Sequence, residues 1–227
     1  MADPNIEMLK LAVAQLGDLV DKLVFVGGST TGLFISDEAS ADVRVTKDVD
    51  AIVEATTYSK YIDFEKRLEK AGFRRDISDG APICRWIKDE TIFDVLPIEG
   101  SILGFGNSWY GGAVSTAVSH EIAPKVFIRV VTPPYFLATK LEAFADRGEN
   151  DFLESRDLED IISVVNGREE LVQEIENAPD DVRAYIANSI ADLLPKQGFL
   201  DAIPGHLNPD ESRFSLVKAR LQQISRL

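Results

Sequence analysis

The chain has 227 residues and carries 38 Asp and Glu against 24 Lys and Arg, a formal net charge of −14, with 45% hydrophobic residues. That length accommodates one large domain or a core with an extension, and the apolar fraction suits a packed globule rather than a disordered chain. The single cysteine, Cys84, excludes an intrachain disulfide, His120 and His206 offer no zinc-ligand spacing, and the acidic balance disfavours generic binding to nucleic-acid backbones.

Asp3-Pro4 is a helix-start signal for a helix near 4–17, with no basic region followed by an apolar core. No run is long and apolar enough to span a bilayer, so the expected location is cytoplasmic, with no membrane partner. Leu23-Val24-Phe25-Val26 reads as a buried strand ended by Gly27-Gly28-Ser29, and the residues after it read as helical. Strands are predicted near 48–54, 83–89, 91–97 and 126–131, and helices near 58–71, 134–147 and 155–166. Apolar spacing over 178–194 and 209–224 makes the last third helical, with disorder expected only near 208–211. The predicted class is α/β (α+β), a mixed β-sheet flanked by helices with a helical C-terminal portion. Residues 1–132 form the expected catalytic core, and 133–227 a helical portion packing on it and completing the site.

The chemistry concentrates at three places. Glycine lets backbone amides approach a phosphate, so Gly28, Ser29 and Thr30 are candidate phosphate donors at a helix start, although an ordinary strand-to-helix turn has the same look. Asp48 and Asp50, at i and i+2, project from one strand face roughly 6.5 Å apart. Two carboxylates so placed repel unless a cation lies between them, and Mg²⁺ prefers one or two carboxylates plus substrate phosphates. Asp94 sits in the apolar run Thr91-Ile92-Phe93-Asp94-Val95-Leu96-Pro97, where a lone acid needs a polar cleft, a metal, or an ion pair with Arg85.

The order Gly-Gly-Ser, Asp48-x-Asp50, then Asp94 resembles the polymerase-β type nucleotidyltransferase superfamily. Arg44-x-Thr46-x-Asp48-x-Asp50, with Lys140, Arg147, Asp157 and Asp160 downstream, is similar to the AbiEii-like nucleotidyltransferase toxins of toxin-antitoxin and phage-defence systems, over roughly residues 23–165. The resemblance implies a nucleotidyltransferase fold in which Asp48, Asp50 and Asp94 bind Mg²⁺, or Mn²⁺, and Asp94 helps activate an attacking hydroxyl. It further implies that Gly28 and Ser29 hold the triphosphate of an NTP, that Lys140 contacts phosphate, and that Asp157 orients Lys140 or charges its own helix start. Lys140 and Arg147 share nearly one helix face, and Arg147 alternatively pairs with Glu149 or Asp151. Arg156, standing where the family usually has lysine, could bind phosphate or lock onto Asp160. The implied acceptor is tRNA or other RNA, with a cognate antitoxin as partner; a small molecule, a protein, or a non-catalytic nucleotide-binding module is the alternative.

Other features have plainer readings. No Gly-Lys-Ser/Thr follows the glycines, which excludes a P-loop kinase. Arg74, Arg75, Arg85, Lys88 and Lys125 form a local basic patch or balance neighbouring acids. Residues 104–112, glycines interleaved with aromatics, form a mobile lip that stacks on a base or a connector whose Trp109 and Tyr110 pack inward. Cys84 reads as a small buried hydrophobe.

Overall fold

Asp3 accepts a hydrogen bond from the Asn5 amide at 2.8 Å and Pro4 occupies the first turn, so α1 (Pro4–Leu16) starts where a side-chain cap and a preset φ coincide. The computed structural model describes residues 3–37, 39–40, 43–147, 151–207 and 211–227. The chain divides into two compact units, residues 1–30 with 45–132, and residues 31–44 with 133–227.

The first unit is built on a mixed sheet. Its strands are β1 (Leu23–Val26), β2 (Val49–Val53), β3 (Arg74–Arg75), β4 (Arg85–Lys88), β5 (Thr91–Pro97), β6 (Val118–Ala123) and β7 (Val126–Val130). They lie in the order β3-β4-β5-β2-β1-β7-β6, with β2/β5 and β1/β7 parallel and the other pairs antiparallel. The parallel β2/β5 step needs a crossover, which α2 (Tyr58–Lys70) supplies, capped by the Thr57 hydroxyl on the Lys60 amide. The central strands are buried on both faces and read as continuous apolar runs. Trp86, Phe73, Phe93, Phe25 and Tyr61 fill the core, and the Tyr61 hydroxyl donates to the Val95 carbonyl at 2.9 Å, which satisfies a buried polar group. The glycine-rich segment closes on itself before α3 (Tyr110–Ser115), because a Cβ at Gly106 would stand 2.6 Å from the Gly100 Cα. Trp109 and Tyr110 are half-buried there.

The second unit is helical: α4 (Pro133–Arg147), α5 (Arg156–Gly167), α6 (Leu171–Glu176), α7 (Asp180–Leu193), α8 (Gln197–Ala202) and α9 (Glu211–Ile224). Ser155 caps α5 through the Leu158 amide, and Leu158, Ile161, Ile162 and Val165 form the apolar face the sequence predicts. The segment 31–44 belongs to this unit for a specific reason. The Ser36 and Asp37 amides both donate to the Gly167 carbonyl at 2.9 Å, satisfying an orphan at the C-terminus of α5. The turn after the paired glycines is a 3-10 helix, Gly28–Phe34, rather than an α-helix. The expectation of disorder near 208–211 falls largely on residues 208–210, outside the described residues.

Candidate functional site

Strand register decides which side chains meet. Arg85 pairs with Asp94 across β4/β5, Asp94 pairs with Asp50 across β5/β2, and Asp50 pairs with Val26 across β2/β1. These four residues form one row over four strands, and directly opposite residues share a face. Asp48, two residues before Asp50, belongs to the same face. The sheet thus sets two of the expected carboxylates, Asp50 and Asp94, opposite each other, and Asp48 stands just before β2 begins at Val49. Asp94 is buried, Asp48 and Asp50 half-buried.

The row ends at a turn shaped for Asp50. Gly27 has φ +79°, and a Cβ there would stand 2.1 Å from Asp50 Oδ2, so only glycine admits the carboxylate so close to the backbone. Beyond it, Ser29 is fully buried and its Oγ has no hydrogen-bond partner among the described residues. A buried hydroxyl without a partner costs free energy unless something supplies one. Thr30 has a different task in this structure. Its amide and hydroxyl both donate to the Gly27 carbonyl, at 3.1 and 2.8 Å, and so fix the turn.

Arg85 binds the acids together. Nε donates to Asp94 Oδ1 at 2.8 Å, and Nη2 donates to Asp94 Oδ2 at 2.7 Å and to Asp48 Oδ2 at 2.8 Å. The Asp94 hydrogen bonds raise the guanidinium pKa; burial opposes them, and the charges of Asp94, Asp48 and Asp50 add to the rise. Thr46 Oγ1 donates to Asp48 Oδ1 at 2.9 Å, while its own amide is held by the buried Asn5 side chain at 3.0 Å. Asp48 is thus oriented from two sides. Among the described residues no group of three or more carboxylate, imidazole or thiol side chains is drawn together tightly enough to hold a metal ion. Arg85 supplies the positive charge instead. Asp50 and Asp94 face each other on the sheet, beside a turn emptied of Cβ and a buried Ser29 hydroxyl without a partner among the described residues, and carboxylate oxygens of this kind are the donors a hard divalent cation takes.

In the second unit, Lys140 of α4 contacts Asp157 Oδ1 at 3.0 Å and Asp160 Oδ2 at 2.7 Å, both on α5. Arg44 reaches Asp160 at 3.1 Å and Glu159 at 3.3 Å, and Arg147 binds both oxygens of Asp157. Burial pulls the Lys140 pKa down, but the charges and hydrogen bonds of Asp160 and Asp157 more than reverse it. Burial likewise pushes the Asp157 pKa up, and Lys140 and Arg147 together hold it below the usual carboxylate range. The structure brings Lys140, Arg147 and Asp157 together, with the cations paired to Asp157. Of the two acids expected to pair with Arg147, Glu149 lies outside the described residues and Asp151 accepts from the Leu153 and Glu154 amides; the partner seen is Asp157 instead. Asp160 is engaged by Lys140 and Arg44 rather than by Arg156, whose side chain is exposed.

Sequence reading treated Arg85 as an alternative partner of Asp94 and missed that it also joins Asp48. A usable signal was present: Lys88 and Thr91 flank a two-residue turn at Asp89-Glu90, and counting back three on each side puts Arg85 against Asp94. The basic patch is largely absorbed locally. Arg75 pairs with Glu65 and stacks over Trp86, and Lys88 Nζ donates to the Ala71 carbonyl at 2.6 Å. Cys84 is buried, and burial together with the nearby Asp94 and Asp50 charges pushes its thiol up to about 12. Among the described residues no helix is long and apolar enough to cross a membrane.

No protein-family model matches this sequence, and no curated protein does. Among solved structures, the chain is similar to one described as a "putative nucleotidyltransferase from H. pylori", at 12% identity and a TM-score of 0.51, over 100% of this chain and 96% of that one. The chain therefore has an α/β nucleotidyltransferase-like fold, with a mixed sheet and accompanying helices.

Proposed function

We propose that the chain is a metal-dependent nucleotidyltransferase that moves NMP from an NTP to an acceptor hydroxyl. The single observation carrying this reading is the register row that sets Asp94 beside Asp50, against a turn where Gly27 leaves room for the Asp50 carboxylate. Asp48, Asp50 and Asp94 would hold Mg²⁺ or Mn²⁺, which when bound supplies charge neutralisation for the phosphates and a more acidic acceptor hydroxyl. The acceptor oxygen bonds to the α-phosphorus, the bond to the bridging oxygen breaks, and pyrophosphate leaves with its electron pair. The hydroxyl proton passes to Asp94. Gly28 and Ser29, in the first turn of their 3-10 helix, meet the triphosphate. In the second unit, Lys140, Arg147 and Asp157 form one charged cluster whose outward member is Arg147, its side chain 71% exposed.

RNA, such as a tRNA 3′ end, is the proposed acceptor and a toxin the proposed role, both resting on the sequence resemblance. Incubation with Mg²⁺, each α-phosphate-labelled NTP in turn and total bacterial RNA labels tRNA-sized RNA, and Asp48→Ala removes the label. Retained labelling in that variant overturns the metal-carboxylate mechanism. A second reading, a non-catalytic nucleotide-binding module, is favoured by the way Arg85 already closes Asp48 and Asp94. Calorimetric binding of NTP with no turnover on RNA, protein or small-molecule hydroxyls supports that module.

A further inference from the structure

Arg85 is placed by the backbone. As the cross-strand partner of Asp94 it must share that residue's face, and its planar fork spans both Asp94 oxygens while Nη2 reaches Asp48. Two of the three carboxylates proposed to hold the metal are thus already bridged by a fixed cation. The guanidinium neutralises the repulsion that a metal would neutralise, so the two cannot both occupy the same carboxylate oxygens. The arrangement is also open to exchange. The Arg85 side chain is 21% exposed and that of Asp48 30%, so the pair is partly solvated, and Arg85 is the first residue of its strand.

We infer that Arg85 is a positioning residue that holds Asp48 to Asp94 without metal and competes with the divalent cation for these two carboxylates. This inference rests on the metal-dependent reading above. Once displaced, the fork remains charged and suits bidentate contact with phosphate oxygens, so the same side chain passes from carboxylates to substrate. The competition has a measurable consequence. Apparent metal affinity is the intrinsic affinity reduced by the fraction of molecules in which Arg85 has let go, so a released fraction of about one tenth weakens binding about tenfold.

The test is calorimetric titration of the full chain with Mn²⁺ alone, for wild type, Arg85→Met and Arg85→Lys, with Asp50→Asn as the control that identifies the site. Melting temperatures are recorded in EDTA and in Mn²⁺. Arg85→Met binds Mn²⁺ about tenfold tighter than wild type, and Arg85→Lys, a point charge without the fork, falls between them. Mn²⁺ raises the melting temperature of both variants more than that of wild type. A merely structural arginine lowers stability without tightening metal binding. Equal or weaker Mn²⁺ affinity in the variants, with wild-type binding abolished by Asp50→Asn, overturns the competition and leaves the metal site standing. Absence of any Asp50-dependent Mn²⁺ binding in all three proteins overturns the metal reading and the inference with it. If Arg85→Met does not fold, Arg85→Lys decides alone.

Discussion

Gly27→Ala separates the geometry of the acid row from general stability. The φ of +79° puts alanine in the left-handed region, at a cost of about 1–2 kcal/mol. Its Cβ would also stand 2.1 Å from Asp50 Oδ2, 2.8 Å from Cγ and 3.0 Å from the Asp50 Cβ, so the Asp50 side chain has to turn away. An off-rotamer carboxylate adds about 0.5–1.5 kcal/mol. The sum, about 1.5–3.5 kcal/mol, lowers the melting temperature by about 2–4 °C per kcal/mol in a chain of this size. Under the proposed function, transfer suffers more, because displacing a catalytic group by about 1 Å costs on the order of a hundredfold in rate. Gly80→Ala is the control, since Gly80 has φ +77° with nothing within 4 Å of a Cβ. Both variants are compared by urea unfolding, Mn²⁺ affinity and nucleotidyl transfer. The reasoning fails if Gly27→Ala matches Gly80→Ala in stability and keeps wild-type metal affinity and turnover.

Asp160→Asn leaves Lys140 and Arg44 without a shared partner and destabilises by about 3–5 kcal/mol in denaturant unfolding, because the Asp160 side chain is only 2% exposed. Arg147→Ala, in contrast, costs about 0–1 kcal/mol because Arg147 is mostly in solvent. Acid unfolding follows from Asp157: its folded pKa is depressed, so its contribution is present above the ordinary carboxylate pKa, about 4, and is lost as pH falls through the folded value. Asp157→Asn flattens the fall of stability with pH on the acid side, measured by unfolding at a series of pH values; an unchanged slope refutes the assignment. At the alkaline end, Lys140 has a raised folded pKa, so its contribution persists below about 10.4 and disappears as pH rises through the folded value. The Cys84 thiol, raised to about 12 and buried, reacts with a thiol reagent in mildly alkaline buffer only after denaturant is added.

The strands that position the acids were legible because each is an apolar run bounded by a turn signal, as in Leu23–Val26 before Gly27 and Thr91–Pro97 around Asp94. β6 was not legible. In Val118–Ala123 only Ile122 is buried, so the strand has no alternating apolar face and owes its order to backbone pairing with β7. β3, two exposed arginines, is the same case. Register was half legible, since Asp48, Asp50 and Asp94 declare themselves by type, while the Arg85 bridge depends on which residues face each other across β4 and β5. The assignment of residues 31–44 to the helical unit was hidden because it rests on long-range bonds, from the Ser36 and Asp37 amides to Gly167 and from Arg44 to Asp160. Local sequence carries no trace of such partners.

Each unit sets a cation between two carboxylates, and exposure distinguishes what the two arrangements can do. Lys140, Asp157 and Asp160 have side chains 11%, 7% and 2% exposed, so separating them strands charge in a medium that solvates it poorly. That cluster is a lock, and any phosphate contact made there falls to the exposed Arg147 before it falls to Lys140. Arg85, Asp48 and Asp94 are 21%, 30% and 8% exposed, and water at one side lowers the cost of exchanging one partner for another. The proposed chemistry, which takes in a metal and a triphosphate, requires charges that can change partners, and of the two arrangements the Arg85 pairings are the more solvated. The prediction that distinguishes the two is direct. Added Mn²⁺ stabilises Arg85→Lys more than wild type and Asp160→Asn only as much as wild type, whereas equal gains in the two variants remove Arg85 from the competition.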